Sequence, residues 1–251
     1  MALEEYVLRT LAAEMPGNYE MEALKAQAVA ARTYALKKQL TGGCEKHPGC
    51  DVCDSPSHCQ AFASDADMKD KWGPLYGVLR RKLTSAVNQT RGEVLLYDGK
   101  PIDALYHAAS QGCTEDSGAA FLTQLPYLVS VPTPESYETE VSVSFAQAAR
   151  LTGQSAVSGA SVAETTASGR VKTLLIGQKS YTGAQARTLF SLKSTDFSVE
   201  ARDGALYFTV RGYGHGVGMS QYGANAYAKD GWRYTQILTH YYTGAIIAAA
   251  P

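Results

Sequence analysis

Apolar side chains recur at helical spacing from the first residues of the chain onward, and this spacing predicts a helix over residues 3–14. Pro16 pushes the backbone of Met15 out of the α region, so we expect this helix to end at about Glu14. A carboxylate would therefore stand at a helix C-terminus.

An alanine-rich stretch over residues 20–39 predicts a second, longer helix on propensity alone. Lys25 and Arg32 are seven residues apart, which is two helical turns, so they share one face. By the same geometry Gln27 and Tyr34 share another face.

The rest of the chain alternates between loop, helical and strand-like patterns. The predicted elements are a loop over 41–60, a helix over 69–89, a hairpin of 93–97 with 102–107 across Asp98-Gly99, strands over about 138–200 with a short helix at 184–190, a hairpin of 197–202 with 206–211 across Asp203-Gly204, and two final helices. This order predicts an α+β fold of mixed helices and antiparallel strands. We expect one domain over 1–251, with two lobes and with the 138–200 segment forming much of the second.

Composition limits the classes of partner. The net charge is -1, from 23 basic and 24 acidic residues, and this balance excludes the electrostatic footprint of a nucleic-acid-binding protein. Sixteen tyrosines stand against six phenylalanines, a bias that suits a carbohydrate groove but also any half-wet surface. The sequence contains no uninterrupted apolar run of membrane-spanning length.

The run Tyr-Gly-His-Gly-Val-Gly-Met-Ser-Gln-Tyr-Gly-Ala, here called the glycine-rich segment (residues 213–224), holds four glycines around His215. Glycines so close together indicate backbone that passes near something bulky or takes positive φ. A tight turn with a satisfied histidine is the plain alternative. Ser220, Gln221 and Tyr222 add hydrogen-bonding groups that a bare turn does not need.

The glycine-rich segment resembles the C-terminal signature of the stage II sporulation protein D family of bacterial cell-wall proteins. Residues 5–16 and 22–35 resemble its N-terminal motifs, and the intervening motifs 51–54, 58–60, 106–107, 114–115 and 126–128, with 237–244 at the end, follow in the family's order. The resemblance implies a lytic transglycosylase with a substrate groove between two lobes. Such an enzyme cleaves the β-1,4 bond between N-acetylmuramic acid and N-acetylglucosamine in peptidoglycan without water.

Glu14 is the candidate catalytic residue. A helix C-terminus and apolar neighbours both disfavour the charged carboxylate, which favours a proton held for donation. An ordinary surface glutamate is the alternative from the residues alone. The resemblance implies that Glu14 is the acid/base, which protonates the leaving oxygen and then takes the proton of the C6 hydroxyl as a 1,6-anhydro ring closes. A hydrolytic variant would need a second carboxylate, for which Glu115 and Asp116 are candidates.

The substrate suggests further binding residues. A peptide-free muramic acid carries a lactyl carboxylate, and Arg32, with Lys25 on its face, is the candidate to bind it. Two exposed basic residues on a solvated helix are the alternative. The other residues expected to bind glycan hydroxyl and acetamido groups are Tyr34, His107, Ser110, His215, Ser220, Gln221 and Tyr222.

The 41–60 loop, here called the cysteine loop, holds four of the five cysteines. His47, Cys53 and Cys59 are spaced six apart, and a mixture of thiols and imidazoles within about twenty residues is what Zn²⁺ binds. The resemblance also implies zinc here, so we expect His47, Cys53 and Cys59 as ligands, with His58 or water as the fourth and a mainly structural role. The alternatives are a Cys53–Cys59 disulfide, natural outside the cytoplasm, and a zinc hydrolase with this loop as its reaction centre.

The resemblance also implies partners and a location. The expected substrate is glycan already stripped of peptide, during engulfment in sporulation, and the expected partners are the amidase stage II protein P and the membrane scaffold stage II protein M. We expect an extracytoplasmic protein anchored to the mother-cell membrane by an N-terminal helix upstream of this sequence. The alternative is a non-catalytic glycan-binding enhancer of a cell-wall amidase.

Overall fold

The computed structural model describes residues 1–56 and 58–251; Ser57, inside the cysteine loop, lies outside the described residues. Helices and antiparallel sheets are both present, so the predicted α+β class is confirmed. The chain divides into two compact units, the first from Met1–Tyr106 and Gly223–Pro251, the second from His107–Tyr222. The single domain of 1–251 and its substrate groove stay predictions.

The helices in chain order are α1 (Leu3–Glu14), α2 (Met21–Leu40), α3 (Asp65–Trp72), α4 (Tyr76–Gln89), α5 (Ser117–Phe121), α6 (Phe145–Thr152), α7 (Gly183–Leu189), α8 (Gln221–Lys229) and α9 (Tyr234–Tyr241). The strands are β1 (Glu93–Tyr97), β2 (Lys100–Pro101), β3 (Tyr106–His107), β4 (Gly112–Cys113), β5 (Pro132–Thr133), β6 (Glu138–Ser144), β7 (Ala160–Thr165), β8 (Val171–Ile176), β9 (Lys179–Thr182), β10 (Asp196–Arg202), β11 (Ala205–Arg211), β12 (Met219–Ser220) and β13 (Ile246–Ala249). Among the described residues, no helix is both long and apolar enough to cross a membrane.

The first unit is built around α2. Its alanines are buried on nearly every side, which lets α1, α4, α9 and β1 approach its backbone closely. The end of α1 at Glu14 is confirmed, since Met15 is extended (φ -119°, ψ 147°) before Pro16. Strand β1 pairs antiparallel with β13 on one side and with β2 on the other.

The second unit contains two three-stranded antiparallel sheets. Strand β11 lies between β10 and β6, and β8 lies between β7 and β9. Their inward side chains, together with those of α6 and α7, form one apolar cluster that includes Leu174, Phe197 and Phe208. The predicted turn at Asp203-Gly204 is confirmed, with φ of 49° and 76°.

Three element predictions were wrong. The 69–89 helix is broken by a 3-10 turn at Gly73–Leu75, where Gly73 takes φ 49° and proline follows. The Asp98-Gly99 turn exists, but the strand that pairs with β1 is Lys100–Pro101; the pairing reaches the predicted strand only through the Ile102 N–H, which donates to the Leu95 carbonyl at 3.2 Å, and Tyr106–His107 pairs with β12 instead. Helix α6 lies inside a stretch predicted as strands, and the signal that this prediction missed is the Ser144 side chain, which caps the helix by accepting from the Gln147 N–H.

Candidate functional site

Glu14 is the last residue of α1 and is half-buried. Its Oε1 accepts a hydrogen bond of 2.7 Å from the backbone N–H of Ala61, which follows the cysteine loop directly. A carboxyl group held by an N–H has a fixed orientation, as a proton-transferring group requires.

Two tyrosines of the first unit, Tyr6 and Tyr106, interact with the charge of this carboxyl group and are joined to each other through Gln60. The hydroxyl of Tyr106 donates to Gln60 Oε1 at 2.7 Å, and Gln60 Nε2 donates to the hydroxyl of Tyr6 at 3.0 Å. Burial, and then the negative charge of Glu14, hold the pKa of Tyr106 well above its usual value. Tyr106 therefore stays a neutral hydroxyl beside the carboxylate.

The cysteine loop brings together three thiols and one imidazole, from Cys44, Cys53, His58 and Cys59, whose ligand atoms all lie within 4.8 Å of one another. His58 Nδ1 is 3.4 Å from each of the three sulfur atoms, and the Sγ atoms of Cys44 and Cys59 are 4.0 Å apart. A tetrahedral site with metal–sulfur bonds of about 2.3 Å has sulfur–sulfur edges of about 3.8 Å. The donor set and spacing therefore fit a bound metal ion.

The loop backbone explains which residues enter this group. Cys44 N–H donates to the carbonyl of Cys50 at 2.8 Å, and a Cβ on Gly43 would lie 2.6 Å from that oxygen. Only glycine at position 43, with φ +82°, lets the chain close this way. Cys44 is thereby buried beside Cys59, while His47 is exposed in the intervening turn.

Cys53, His58 and Cys59 thus belong to the group as predicted, but Cys44 takes the place predicted for His47. His47 instead lines a cavity of about 570 Å³ with Cys50 and other residues. The even six-residue spacing favoured His47. The signal for Cys44 was its presence in the same short Cys/His stretch.

All five cysteines are free thiols, so the alternative Cys53–Cys59 disulfide is not formed. Burial acts to raise the pKa of Cys53, but hydrogen bonds from the Ser55 backbone and His58 outweigh it and lower the pKa to about 6. Burial raises the pKa of Cys59 to about 11. The lowered pKa of Cys53 favours the thiolate, the form that binds metal.

Arg32 is fully buried. Its Nε and Nη2 bind the two carboxylate oxygens of Glu4 at 2.9 and 2.7 Å, and Nη1 donates to the carbonyl of Glu93 at 3.1 Å. The guanidinium fork predicted to bind a lactyl carboxylate is thus occupied by a carboxylate of the protein itself, a fixed buried ion pair.

The other α2 candidates have protein partners as well. Lys25 Nζ lies 2.7 Å from Glu22 Oε1 and 5.7 Å from the centre of the Tyr234 ring. Tyr34 is buried, its hydroxyl donates to the carbonyl of His58 at 3.4 Å, and burial raises its pKa. Tyr34 therefore links α2 to the cysteine loop.

In the second unit, His107 is buried beside the glycine-rich segment. Its Nδ1 is 3.2 Å from the carbonyl of Val217 and its Nε2 is 2.7 Å from Ser110 Oγ. The half-buried His215 ring lies 5.7 Å from the His107 ring and 5.4 Å from that of Phe121. Burial, with His215 close by, holds the pKa of His107 well below its usual value.

Glu135, which sequence reasoning missed, anchors the same region. Its carboxylate accepts hydrogen bonds from the Ser110 backbone N–H at 2.8 Å and from the hydroxyls of Ser220 and Thr133. Ser110 and Ser220 are fully buried, so this carboxylate ties two distant sequence motifs together. An isolated Glu after Pro134 carries no periodic signal, so spacing could not have found it.

Gln221 and Tyr222 lie near the end of the glycine-rich segment, where α8 begins. Gln221 is buried, whereas Tyr222 is 42% exposed and meets the Tyr137 ring edge-on at 5.7 Å. The Tyr222 N–H donates to the carbonyl of Ala108 at 2.9 Å. Of these two side chains, Tyr222 is the one presented to solvent.

The two candidate second carboxylates have structural contacts. Glu115 is buried, and it accepts from Thr166 Oγ1 at 2.6 Å and from the Asp116 N–H at 2.9 Å. Asp116 accepts from the Ser130 N–H at 3.0 Å. Both carboxylates are therefore used in holding local backbone and side chains.

Comparison with known proteins adds an independent finding. The family model described as Stage II sporulation protein (SpoIID) matches residues 1–97, which include Glu14 and the cysteine loop. The Stage II sporulation protein D of Bacillus subtilis (strain 168) is 36% identical over 258 residues, covering 99% of this chain and 75% of that protein. That of Bacillus amyloliquefaciens is 36% identical over 258 residues, covering 99% of this chain and 74% of that protein.

A more distant similarity is to the protein named Amidase enhancer of Bacillus subtilis (strain 168), which is 28% identical over 300 residues, covering 94% of this chain and 39% of that protein. The two sporulation proteins are more similar and match most of their own length. This chain belongs to the Stage II sporulation protein D family.

Proposed function

We propose that this chain is a lytic transglycosylase, a peptidoglycan lyase that cleaves the bond between N-acetylmuramic acid and N-acetylglucosamine in peptide-stripped glycan during engulfment in sporulation. The observation that carries the proposal is the half-buried carboxyl group of Glu14, oriented by the Ala61 N–H and bordered by the neutral Tyr106. A single oriented carboxyl group suffices for this reaction.

The reaction needs two proton transfers. Glu14 as the acid gives its proton to the glycosidic oxygen as the bond from that oxygen to C1 breaks. As the carboxylate it then takes the proton of the C6 hydroxyl, and O6 bonds to C1 to close the 1,6-anhydro ring. Glu14 ends the cycle protonated, so no water is consumed and no second carboxylate is required.

The state of the other carboxylates supports this route over hydrolysis. A hydrolytic glycosidase needs a second carboxylate as base or nucleophile. Glu115 is buried and Asp116 holds the Ser130 N–H, so neither is presented for that role. The zinc-hydrolase alternative is also disfavoured, because a group of four protein ligands is typical of closed structural sites.

We propose that the bound metal is Zn²⁺, held by Cys44, Cys53, His58 and Cys59, since three thiols with one imidazole are a typical zinc donor set. When bound, the ion would cross-link a loop that has little apolar material of its own. Ala61, whose N–H orients Glu14, comes two residues after the ligand Cys59. The metal would thus support Glu14 indirectly.

Glycan contacts are proposed for the side chains that the structure leaves at least partly exposed. These are Tyr222 and His215 in the second unit and, less directly, Lys25 in the first. The buried side chains would hold the glycine-rich segment in place rather than contact glycan; these are His107, Ser110, Ser220 and Gln221. Arg32 would stabilise the fold. An extracytoplasmic location at the mother-cell membrane, with the amidase stage II protein P and the scaffold stage II protein M as partners, stays part of the proposal.

The second candidate is a glycan-binding protein that stimulates an amidase without cleaving glycan. The observation in its favour is the similarity to the protein named Amidase enhancer. The two candidate functions differ in whether this chain alone cleaves glycan.

The test is mass spectrometry of products from peptide-free glycan incubated with the parent, Glu14→Gln and the control Glu20→Gln. Glu20 is an exposed carboxylate in the same unit. We expect 1,6-anhydro ends from the parent and the control, and a loss of about 10²–10⁴-fold or more in Glu14→Gln, because the group acts twice. Reducing ends would indicate hydrolysis. Binding without products would establish the enhancer reading, and near-parental activity of a folded Glu14→Gln would exclude Glu14.

A further inference from the structure

The side chain of Arg170 packs against the backbone of the glycine-rich segment at Gly216. It stands just before β8 in the second unit and is only 2% exposed. A Cβ added to Gly216 would lie 2.4 Å from Arg170 Cζ. The backbone at Gly216, with φ +82°, therefore lies against the guanidinium, and a larger residue at position 216 would strain the backbone and displace the Arg170 side chain.

The hydrogen bonds of this guanidinium are concentrated on one nitrogen. Nη2 donates to Ser110 Oγ at 3.0 Å and to the carbonyl of Cys113 at 3.4 Å. Among the described residues, Nε and Nη1 have no hydrogen-bond partner, and the nearest carboxylate oxygen, on Glu115, is 3.9 Å from Nε. The directed side-chain contact of Arg170 is thus with Ser110.

The contact between Arg170 and Ser110 determines where the protons of Ser110 and His107 lie. A guanidinium only donates, so Ser110 Oγ must accept from Arg170. The one hydroxyl proton of Ser110 is then directed to His107 Nε2 at 2.7 Å, which must be an acceptor. His107 consequently carries its proton on Nδ1 and donates it to the carbonyl of Val217 at 3.2 Å.

An imidazolium at His107 would disrupt this chain. Its Nε2–H and the Arg170 N–H would both donate to Ser110 Oγ, and two buried positive charges would converge on one oxygen. The Ser110 hydroxyl proton would lose its acceptor as well. The chain from Arg170 through Ser110 to His107 and Val217 therefore holds only with a neutral His107.

We propose that Arg170 is a positioning residue that keeps His107 in its neutral Nδ1–H form and thereby fixes the glycine-rich segment at Val217. Arg170 lies outside every motif that the sequence resemblance used. The effect on glycan binding rests on the proposed function, whereas the effect on His107 does not.

The charges around His107 agree with this assignment. His215, 5.7 Å away between ring centres, and Arg170 both disfavour a second positive charge, and burial acts in the same direction. Of the acidic groups in this region, Glu135 is bound to the Ser110 N–H and the Ser220 hydroxyl, and Glu115 lies beside Arg170. Replacement of Arg170 by an uncharged residue would remove the positive charge that contacts Ser110, and His107 would then be protonated more easily.

The test is nitrogen-15 NMR of the histidine rings as a function of pH in the parent, Arg170→Met, Arg170→Lys and the control Arg211→Met. Arg211 is a partly buried arginine of the same unit that pairs with Asp196 at 2.9 Å. The signal of His107 among the five histidines is assigned by its loss in His107→Gln. We expect the parent to keep the neutral Nδ1–H form below the usual histidine pKa, Arg170→Met to take up the proton at clearly higher pH than the parent, and Arg170→Lys and Arg211→Met to behave as the parent does.

Binding of peptide-free glycan provides the second readout. We expect Arg170→Met to weaken it by roughly tenfold, because a hydrogen bond from a charged group is lost behind the segment. An Nε2–H form in the parent would overturn the proposal even if Arg170→Met failed to fold, and so would an unchanged His107 titration in a folded Arg170→Met. If glycan binding is absent in the parent but the NMR result holds, the proposed function fails and the positioning role stands.

Discussion

The cysteine loop and the glycine-rich segment both hold polar groups in place, but they do so by different means. In the cysteine loop, four side chains with ligand atoms converge within 4.8 Å, an arrangement that a metal ion could cross-link. At the glycine-rich segment, the polar groups are held by other side chains of the protein, through Glu135 with Ser110 and Ser220 and through Arg170 with Ser110.

This difference predicts which kind of change would disorder each region. If the proposed zinc is bound, the order of the cysteine loop depends on metal availability, since metal binding and local folding are one equilibrium. The order of the glycine-rich segment depends on backbone conformation and on buried protons, which are properties of the chain itself. Removal of the metal should therefore affect mainly the cysteine loop, whereas backbone substitutions and pH changes should affect mainly the glycine-rich segment.

The largest effect is expected from the metal ligands, because apparent binding free energies of structural zinc reach about 10–16 kcal/mol in zinc-finger peptides. Cys44→Ser should lose the metal and lower the thermal midpoint strongly. His47→Ala and Cys50→Ser, in the same loop but outside the ligand group, should retain both. Elemental analysis and thermal unfolding of the four proteins, parent included, check this.

The opposite pattern, with metal lost in His47→Ala and kept in Cys44→Ser, would restore the ligand set that spacing alone suggests. Metal loss in Cys44→Ser should also lower glycan cleavage while leaving the His107 titration unchanged. A changed His107 titration after metal removal would break the separation between the two regions.

An intermediate effect is expected from Gly216→Ala. The positive φ costs about 1–2 kcal/mol in an L-residue, and overpacking against Arg170 adds about 1–3 kcal/mol. Gly204→Ala is the matched control, because Gly204 also has positive φ (76°) but a Cβ there meets nothing within 4 Å. Denaturant unfolding should show the larger loss for Gly216→Ala, with metal content unchanged in both variants; equal losses would mean that the contact with Arg170 adds nothing.

The smallest effect is a pH dependence of stability from His107. Its folded-state pKa is lowered by burial, so below about pH 6.5 the unfolded chain binds a proton that the folded chain does not. The free energy of unfolding should therefore fall as the pH drops below that value, by up to about 1.4 kcal/mol per pH unit. This fall should be smaller in His107→Gln, as measured by denaturant unfolding between pH 5 and 7.5, and equal slopes in the two proteins would contradict it.

The sequence was a good guide where local rules decide the structure. The end of α1 at Glu14 followed from Pro16, and the turn at Asp203-Gly204 followed from residues that tolerate positive φ. The positions of Cys53 and Cys59 in one candidate metal-binding group followed from residue type and proximity in the chain.

The sequence failed where tertiary packing decides. Arg32 has the pattern of an exposed helical cation, yet Glu4, 28 residues earlier, binds it in the core. Arg170 and Glu135 contact residues far along the chain, and nothing in their local sequence marks them as partners of Ser110. Cys44 entered the metal group through a backbone contact with Cys50 that spacing does not reveal.

The short run Cys59-Gln60-Ala61 behaves as a mechanical link. Its three residues span at most about 10 Å when extended, and they join a metal ligand to the N–H that holds Glu14 at 2.7 Å. The link is short and contains no glycine, whereas the turn at residues 45–50 is exposed and can absorb a change of length. Insertions and deletions should therefore be tolerated in that turn and not in the link.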